Sequence, residues 1–564
     1  MVGACSTLAF PFTNSLPRMR HFLFLFLLLL STKSQAQRTI GLTQHDADLP
    51  GYVLFSPMPN NTTYLIDGCG REVHQWVSTH TPGLSAQLQP DGTLLRTGST
   101  NNPDFHGGGN GGIIERYGWT GDLIWSFPIS SDSLCQHHDF IVLPNGNILT
   151  VAWEVHTALD AFALGLDTAY TTNKIWSERL IELHPTGSDQ ADVVWVWRAW
   201  DHLVQRFDPD LPNFGAPSDR PRRIDINYRD GGPFLTDWLH INSVSYNADR
   251  DEVMVSVHNF NEVWVIDHST TTAEAAGSTG GASGHGGDLL YRWGNPMAYG
   301  TGSVADRKFH HQHHATWLPP GHPDAGKMMV FNNLNAGAEG NYSSVVIFDP
   351  PLDTAGHYVL ENGVAYGPGS AFWTWTAPVP TDFYGQGLGG AFPVGDGFLF
   401  TVGPSGQFIG IDGNGVQVWR YVDPVTISGP DQQGSSNMTN SVFRCEHYAE
   451  DFPGFAGHDL TPGDEIELDP LPSLCLTSGV NEAPSEPLSV HPNPAKDRLV
   501  ITSSVLPSSI QLMDASGRNV ALRFTVQGPN VVCDLSGIAP GVYTLVLVGK
   551  DTGTRYSSRL VLEP

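Results

Sequence analysis

Basic residues are scarce in this chain. Its 564 residues include 29 Lys and Arg against 57 Asp and Glu, a formal net charge of −28. A nucleic-acid ligand needs a basic surface to displace the counterions of its phosphates, so that partner class is excluded. Such acidity still leaves room for a small, donor-rich pocket. Long apolar runs are also missing beyond the N-terminus, so no stable membrane insertion is expected. Extended amphipathic helical patterns are absent, whereas Gly (61), Pro (41) and Trp (15) are frequent. That balance fits an all-β protein with many turns. The length exceeds one ordinary domain, unless the domain is a large repeat fold.

The one long apolar run reads as a leader. Met19 and Arg20 precede "HFLFLFLLLL" and then "STKSQAQ", the basic, apolar and small-residue order of a secretory signal. Residues 1–36 are therefore expected to be a signal peptide, and the mature protein exported and soluble. Cys5 goes with the leader, leaving Cys69, Cys135, Cys445, Cys475 and Cys533. Export permits disulfides. The pairing favoured here is Cys445 with Cys475, which bracket a segment of little regular pattern. Cys135 is expected to be a small buried residue.

A degenerate repeat organises the remainder. Its first half is a turn and a short strand ending in tryptophan: "GCGREVHQW", "GWTGDLIW", "ADVVWVW", "GDLLYRW", "SAFWTW" and "GNGVQVW". These place Trp76, Trp125, Trp197, Trp293, Trp375 and Trp419 at one repeat position. Six such units of short antiparallel strands predict a six-bladed β-propeller with long insertions, seven blades being the alternative count. Residues 52 to 67 are then expected to pair with the C-terminal end of the propeller.

Five histidines crowd the thirteen residues "HHQHHATWLPPGH" at 310–322. "HHATWLPPG" aligns with "HDFIVLPNG" at 138–146 and "HINSVSYNA" at 240–248, counted from the turn that ends each. His138, His240 and His313 then share one repeat position, and rotation about the propeller axis would bring them together. His310, His311 and His322 fall out of register and are expected to be loop residues. His137 and His314 adjoin the shared position, but strand alternation would turn them away. Converging imidazoles could hold a transition metal or act as nucleophile, acid and anion donor in group transfer. Asn242 lies two residues beyond His240, on the same strand face. An amide there can donate to an oxyanion, which suits group transfer better. His258 closes the next strand, "EVMVSVH".

The succession "HHDFIVLPNGNIL", "DWLHINSV", "VMVSVHNFNEVWVID", "GDLLYRWGNP", "QHHATWLP" and "MMVFNN" resembles the arylsulfotransferase family over residues 48 to 465. "GYVLFSP", "YLID", "GREVHQW" and "FPGFAGHDLTPGD" agree with it. The resemblance implies a six-bladed propeller that moves a sulfuryl group from a phenolic sulfate to a phenol acceptor through a sulfated histidine. It implies neither a cofactor nor a nucleotide sulfate donor, and no metal. It makes His313 the nucleophile, His240 and Asn242 the ligands of the sulfate oxygens, and His138 an acid or oxygen ligand. Where the family carries an arginine, this chain has His258, which delivers less charge at neutral pH and no bidentate fork.

After "SGVNEAPSEP" the composition changes to short alternating strands, including "LSVHPNPAKDRLVI", "QLMDASGRNV" and "GVYTLVLV". They predict a small β-sandwich of seven strands and resemble the type A C-terminal sorting domain of type IX secretion. The expected plan is a signal peptide at 1–36, a propeller at 37–478, a linker at 479–487 and a sorting sandwich at 488–564. The expected location is secreted or cell surface, reached through the periplasm, with the type IX secretion machinery as partner. Two other readings stay open at this point: a metal-dependent, histidine-centred propeller enzyme, and a non-catalytic propeller binding sulfated or phenolic ligands. Metal content separates the first from a sulfotransferase, and turnover of a chromogenic aryl sulfate separates the second.

Overall fold

A computed structural model describes residues 38–475, apart from 59, 171–172, 232–234 and 436–438, and residues 489–563, apart from 503–506, 515–517, 528–529 and 551–554. The expected signal peptide and linker lie outside the described residues. Six four-stranded antiparallel sheets follow one another along the chain. The second comprises Pro82–Leu88, Leu94–Ser99, Gly112–Tyr117 and Leu123–Pro128, and the third Leu134–Val142, Ile148–Thr157, Lys174–Thr186 and Gln190–Arg198. The fourth comprises Ile241–Asn247, Glu252–Val257, Glu262–Asp267 and Tyr291–Trp293. The fifth comprises His313–Trp317, Met328–Gly337, Gly340–Phe348 and Trp373–Trp375. The sixth runs Gly390–Val394, Gly397–Val402, Gln407–Ile411 and Gln417–Val422, and gains Gly41–His45 as a fifth strand.

The first sheet is built from both ends of this region. Tyr52–Pro57, Thr62–Asp67 and Glu72–Val77 form three strands, and Val442–Tyr448 pairs antiparallel with Tyr52–Pro57 as the fourth. Strands such as Thr62–Asp67, Glu252–Val257, Glu262–Asp267 and Gly397–Val402 are buried along their whole length, as expected of strands covered on both faces.

The six tryptophans occupy the last strand of each sheet. Every indole N–H donates to a backbone carbonyl just before the last strand of the following sheet, or at its start. The bonds are Trp76 to Gly118 (3.0 Å), Trp125 to Gln190 (2.9 Å), Trp197 to Gly287 (2.8 Å), Trp293 to Pro368 (2.8 Å) and Trp375 to Gly415 (2.8 Å). The sixth, Trp419 to Gly68 (2.7 Å), returns to the first sheet. All six side chains are buried. Each therefore combines a large apolar burial with a satisfied donor, a bond worth about 1 kcal/mol net. The first strands also touch in sequence. Pro82–Leu88 packs on Leu134–Val142, that strand on Ile241–Asn247, and that in turn on His313–Trp317, while Val442–Tyr448 touches both Pro82–Leu88 and Gly390–Val394.

The C-terminal region forms two further four-stranded sheets. Ser489–His491, Arg498–Thr502, Asn530–Asp534 and Arg523–Gln527 make one; Asn519–Val520, Pro507–Met513, Gly541–Gly549 and Arg555–Leu562 make the other. Its strands thus number eight among the described residues, one more than the sequence suggests, because the two-residue strand Asn519–Val520 is too short to leave a pattern. It has its own core around Leu499, Ile501, Leu512, Leu545, Leu547 and Leu560.

The disulfide corrects the expected pairing: Cys69 is bonded to Cys475. Cys445 is a free thiol on the strand Val442–Tyr448, buried and 3.0 Å from the Thr401 hydroxyl. Strand pairing fixes Cys445 inside the first sheet, so it cannot serve the irregular segment that follows. Cys135 and Cys533 are buried and free. The bridge joins the turn after Thr62–Asp67 to a point 406 residues later, closing a long loop of the unfolded chain. Cys475→Ser should therefore lower stability by about 2–4 kcal/mol, read as a lower urea midpoint. A midpoint equal to that of the parent protein refutes this connectivity.

Candidate active site

Five imidazoles meet where the first strands of the third, fourth and fifth sheets begin. The rings of His138 and His240 lie 4.7 Å apart, His240 and His258 5.0 Å, His258 and His313 5.5 Å, and His258 and His311 4.7 Å. His138 and His313 are buried, and the His240 side chain keeps 16% of its exposure. The cluster thus opens toward solvent past His240. The structure brings His138, His240, His258 and His313 together and adds His311, which the sequence reading left among the loop residues. His310 and His322 stay outside these contacts.

The route to this convergence differs from the expected shared repeat position. Each first strand carries a bulge near its start, between Gln136 and Phe140, between Ile241 and Ser243, and between His313 and Ala315. Ile241 pairs with Val257 and His313 with Phe331, while the His258 N–H bonds the His240 carbonyl. His240 therefore corresponds to Gln312, and His313 to Ile241. The bulges of the fourth and fifth sheets each insert one residue at the same place and so do not shift the count. The two strands stay paired to different lengths, as far as Asn247 in one and Trp317 in the other, so the turns used for counting back are not equivalent. His138, His240 and His311 adopt left-handed backbone, with φ of 51°, 54° and 56°. Such residues cost roughly 1–3 kcal/mol each and persist only where their surroundings hold them.

Neighbouring groups fix which nitrogen carries hydrogen in the rings of His313 and His258. Asn333 donates its amide to the carbonyls of Gly385 and Leu388, which turns its Oδ1 to His313 Nδ1 at 2.8 Å. His313 Nδ1 therefore holds the hydrogen, and Nε2 keeps its lone pair, now accepting the Leu388 N–H at 3.2 Å. Asn259 acts likewise on His258: its amide donates to the Asp237 carbonyl and its Oδ1 meets Nδ1 at 2.8 Å. The Asp237 carboxylate binds His240 Nδ1 at 2.5 Å and accepts the Trp153 indole N–H at 3.0 Å. His138 Nδ1 lies 2.8 Å from His137 Nδ1, and His137 Nε2 lies 2.7 Å from Glu178 Oε2.

Asn242 is buried, but its amide N–H donates to the Gln312 carbonyl at 2.8 Å. The amide keeps a second N–H beyond this bond. His314 accepts the Ala391 N–H and packs beside Phe392, a structural role. A glycine-rich loop that the sequence reading did not single out covers the cluster. Gly109 accepts the His138 N–H through its carbonyl, has φ +84°, and a Cβ there would lie 2.2 Å from the His138 ring. Only glycine fits. Beneath the imidazoles, Arg444 from the first sheet pairs with Asp139 of the third and donates to Ser85 of the second. Asp139 also accepts the Val244 N–H of the fourth sheet at 3.0 Å.

Burial governs the charges. It pushes the His313 and His137 imidazoles down to about 3 and holds His138, His258 and His314 well below the ordinary range. Their neighbouring imidazoles add to the effect on His138 and His258, and Arg444 to that on His314. Burial also opposes a charge on His240, yet the Asp237 carboxylate outweighs it and raises this imidazole. Burial raises Glu178 well above the carboxylate range, and Asp237 raises it further. The cation of the cluster is thus His240, and His258 is neutral with its Nε2 lone pair exposed to the site.

Side-chain donor atoms of three or more His, Cys, Asp or Glu residues come within 4.8 Å of one another, among the described residues, only at His45, Cys69 and Cys475. Two of those are joined as the disulfide. A separate cavity of about 580 Å³, lined by Trp293, Tyr299, Lys308, Glu361 and Tyr366 among others, contains none of the five imidazoles.

A family model for arylsulfotransferase (ASST) matches residues 60–349, half of the chain and the span that holds all five imidazoles. The chain belongs to the arylsulfotransferase family. A second model, the secretion system C-terminal sorting domain, matches residues 489–563. This is the type IX sorting tail, and it marks a secreted or cell-surface protein. No helix among the described residues is long and apolar enough to cross a membrane. No curated protein matches the chain. Solved structures similar to it include a protein of unknown function from Bacteroides caccae, 12% identical, covering 70% of this chain and 98% of that one with a TM-score of 0.37. A periplasmic gluconolactonase of Pseudomonas aeruginosa is 13% identical, with 65% and 94% covered and a TM-score of 0.31. A catalytically inactive virginiamycin B lyase from Staphylococcus aureus, with quinupristin, is 10% identical, with 68% and 87% covered and a TM-score of 0.31. Likeness at that level assigns no function.

The imidazoles make stability depend on pH. His137, His138, His258, His313 and His314 are held neutral in the fold, whereas in the unfolded chain they take up protons below about 6.5. The unfolded state then binds more protons, and each group removes up to roughly 1.4 kcal/mol per pH unit as the pH falls. His240 and Glu178, both raised, act in the opposite sense: their contributions are lost as pH rises through their folded values. Asp423 and Glu446, likewise raised by burial, act with these two. The lowered imidazoles, which also include His74, His311 and His447, outnumber them, so the urea midpoint should drop between pH 6.5 and 5, before ordinary carboxylates titrate. A midpoint that is flat or rises toward pH 5 contradicts the neutral assignments.

Proposed function

We propose that this protein is a secreted aryl-sulfate sulfotransferase that moves a sulfuryl group from a phenolic sulfate ester to a phenol, through a sulfated His313. The observation that carries this is His313 itself. Its tautomer is locked by Asn333 so that Nε2 presents a lone pair within a group of mostly neutral imidazoles. Neutral imidazole is a competent nucleophile at ordinary pH. The six Trp bonds, of which the last returns from the sixth sheet to the first, support reading residues 37–478 as a six-bladed propeller, with the imidazoles near its axis. The ranges 479–487 and 488–564 are then linker and sorting sandwich.

His313 Nε2 attacks sulfur, the S–O bond to the phenol breaks, and the phenol oxygen departs with the bonding pair. The Leu388 N–H, which that nitrogen now accepts, is released to a sulfuryl oxygen. His240, charged by its pairing with Asp237, donates to another. His138 supplies the proton to the leaving oxygen. A phenol acceptor then takes the same space and reverses the sequence. The donor is a simple aryl sulfate, and a nucleotide sulfate and a resident cofactor are not called for. His258 does not replace an arginine in charge. It lends a lone pair to the acceptor side of the pocket, and the cationic part falls to His240.

His313→Ala should abolish transfer from a chromogenic aryl sulfate to added phenol, whereas His138→Ala and His240→Asn should retain measurable turnover. Quenching with excess donor and no acceptor should add an acid-labile sulfuryl mass to the peptide bearing His313. Because His258 has the same tautomer, the same label on its peptide would move the nucleophile there. Transfer by His313→Ala at near the parent rate would refute the covalent route.

A further inference from the structure

Glu178 and His137 form a buried chain behind His138, and the proposed function leaves both unused. Glu178 lies on the strand Lys174–Thr186, His137 on Leu134–Val142. Both are fully buried. The His137 ring is stacked on Trp153, with centroids 4.0 Å apart and planes within 8°. The contacts run Glu178 Oε2 to His137 Nε2 at 2.7 Å, then His137 Nδ1 to His138 Nδ1 at 2.8 Å. The other oxygen of Glu178 accepts the Ile241 N–H at 2.9 Å. Two facing Nδ1 atoms can share only one hydrogen. The hydrogen on one ring therefore decides which ring nitrogen of His138 faces the site with a hydrogen and which with a lone pair.

We infer that Glu178 and His137 are positioning residues that switch His138 between acid and base in the two halves of sulfuryl transfer. This inference rests on the sulfotransferase reading. In the first state Glu178 is protonated and donates to His137 Nε2. His137 then donates from Nδ1 to His138 Nδ1, and His138 presents Nε2–H to the leaving phenol oxygen. When that proton leaves, His138 Nδ1 takes the proton of His137 Nδ1, and His137 Nε2 takes the proton of Glu178. The second state has a Glu178 carboxylate, a hydrogen on His137 Nε2 and a lone pair on His138 Nε2. It is ready to take the proton of the acceptor phenol. As the phenol oxygen bonds to sulfur and the S–N bond breaks, its electron pair returns to His313 Nε2. The phenol proton passes to His138, and the two transfers run backward to restore Glu178. No proton is exchanged with solvent.

The surroundings support both states. Besides His137, Glu178 faces Asp237 and His240; burial with Asp237 favours its protonated form, while the Ile241 N–H and His240 favour the carboxylate. His138 is faced by His137, His240, His258 and His313, and its own charged form is disfavoured by burial and by these imidazoles. A relay that changes tautomers leaves both rings neutral in both states, which avoids placing a charge on either buried imidazole.

Glu178→Gln separates the halves. The Ile241 N–H requires the amide oxygen, which turns the amide N–H₂ to His137 and locks His138 as a donor. With 4-nitrophenyl sulfate the variant should release one equivalent of nitrophenol in a burst close to the parent rate. Its steady turnover with unsubstituted phenol should fall roughly 100-fold, the scale of a lost general base. With an acceptor already ionised at the assay pH, turnover should fall less than about threefold. His137→Phe keeps a ring on Trp153 and removes the relay, so it should show the same dependence on acceptor ionisation. It decides the matter if the glutamine variant does not fold. Burst and turnover slowed by one common factor, or equal losses with both acceptors, would mean that the chain is only structural and overturn the relay. Parent-like kinetics in both variants would do the same. Failure of the parent protein to transfer sulfate at all would remove the sulfotransferase reading itself, and the relay with it.

Discussion

The bond from each tryptophan to the next sheet is the constraint on which the rest depends. A four-stranded antiparallel sheet buried on both faces needs two neighbours, and six such sheets laid in sequence satisfy this only if the last also meets the first. The indole of Trp419 makes that contact at Gly68, and the strand Val442–Tyr448 makes it again by pairing with Tyr52–Pro57. Gly41–His45 and the Cys69–Cys475 bridge lie at the same seam. Three kinds of interaction thus guard the place where sheets built from distant parts of the chain must meet. Each is modest alone. Together they set the positions of the inner strands, which carry the site.

The inner strands would otherwise bring polar groups into a buried centre without partners. Asp139 resolves part of this by serving three sheets: it pairs with Arg444, accepts the Val244 N–H and lies on the third sheet itself. Removing one side of such a pair is costly, because it strands the other charge. Above this pair the chemistry is set by amides and carboxylates acting on imidazoles. Asn333 and Asn259 choose tautomers, Asp237 keeps a charge on His240, and Glu178 reaches His138 through His137. The left-handed backbone of His138, His240 and His311 is strain that these bonds and the Gly109 contact hold in place.

Much of this was legible in the sequence. The tryptophans could be read because one residue type recurs beside a turn, and their bonds require that spacing. The convergence of His138, His240 and His313 was legible as well, although the reason offered for it, a shared repeat position, fails because the strands end at unequal lengths. Strand ends leave little compositional mark, so counting from the turn gave the right residues with the wrong register. His311 was hidden because its left-handed backbone redirects it toward His258. Asp237 stood three residues before His240 and could have been found by spacing. Glu178 could not: it is a lone acid in a strand two places from His137 across the sheet, and only pairing reveals the contact. Asn259 and Asn333 fall at matching positions of "VHNFNE" and "FNNLNA", a signal that becomes clear only after the strands are paired. The Cys445 pairing failed because an irregular sequence after a cysteine says little about which strand the cysteine itself occupies.

Under the proposed function, the distribution of charge explains how a protein of net charge −28 would use an anionic substrate. His240 is cationic only because Asp237 is beside it, so the pair is close to neutral and attracts a sulfate ester weakly from a distance. His258 and His313 add lone pairs, not charge. Such a pocket gains little from ground-state attraction. That suits transfer, because interactions that bind donor and transition state equally do not speed the chemical step. In the proposed transfer the donors for the sulfuryl oxygens, the His240 Nε2–H and the Leu388 N–H, would act at short range on charge that develops in the transition state. An arginine at position 258 would add affinity for every sulfate ester, product as well as donor. With histidine there, the proposed reaction would hold donor and product sulfate loosely and favour exchange between two phenols over retention of either.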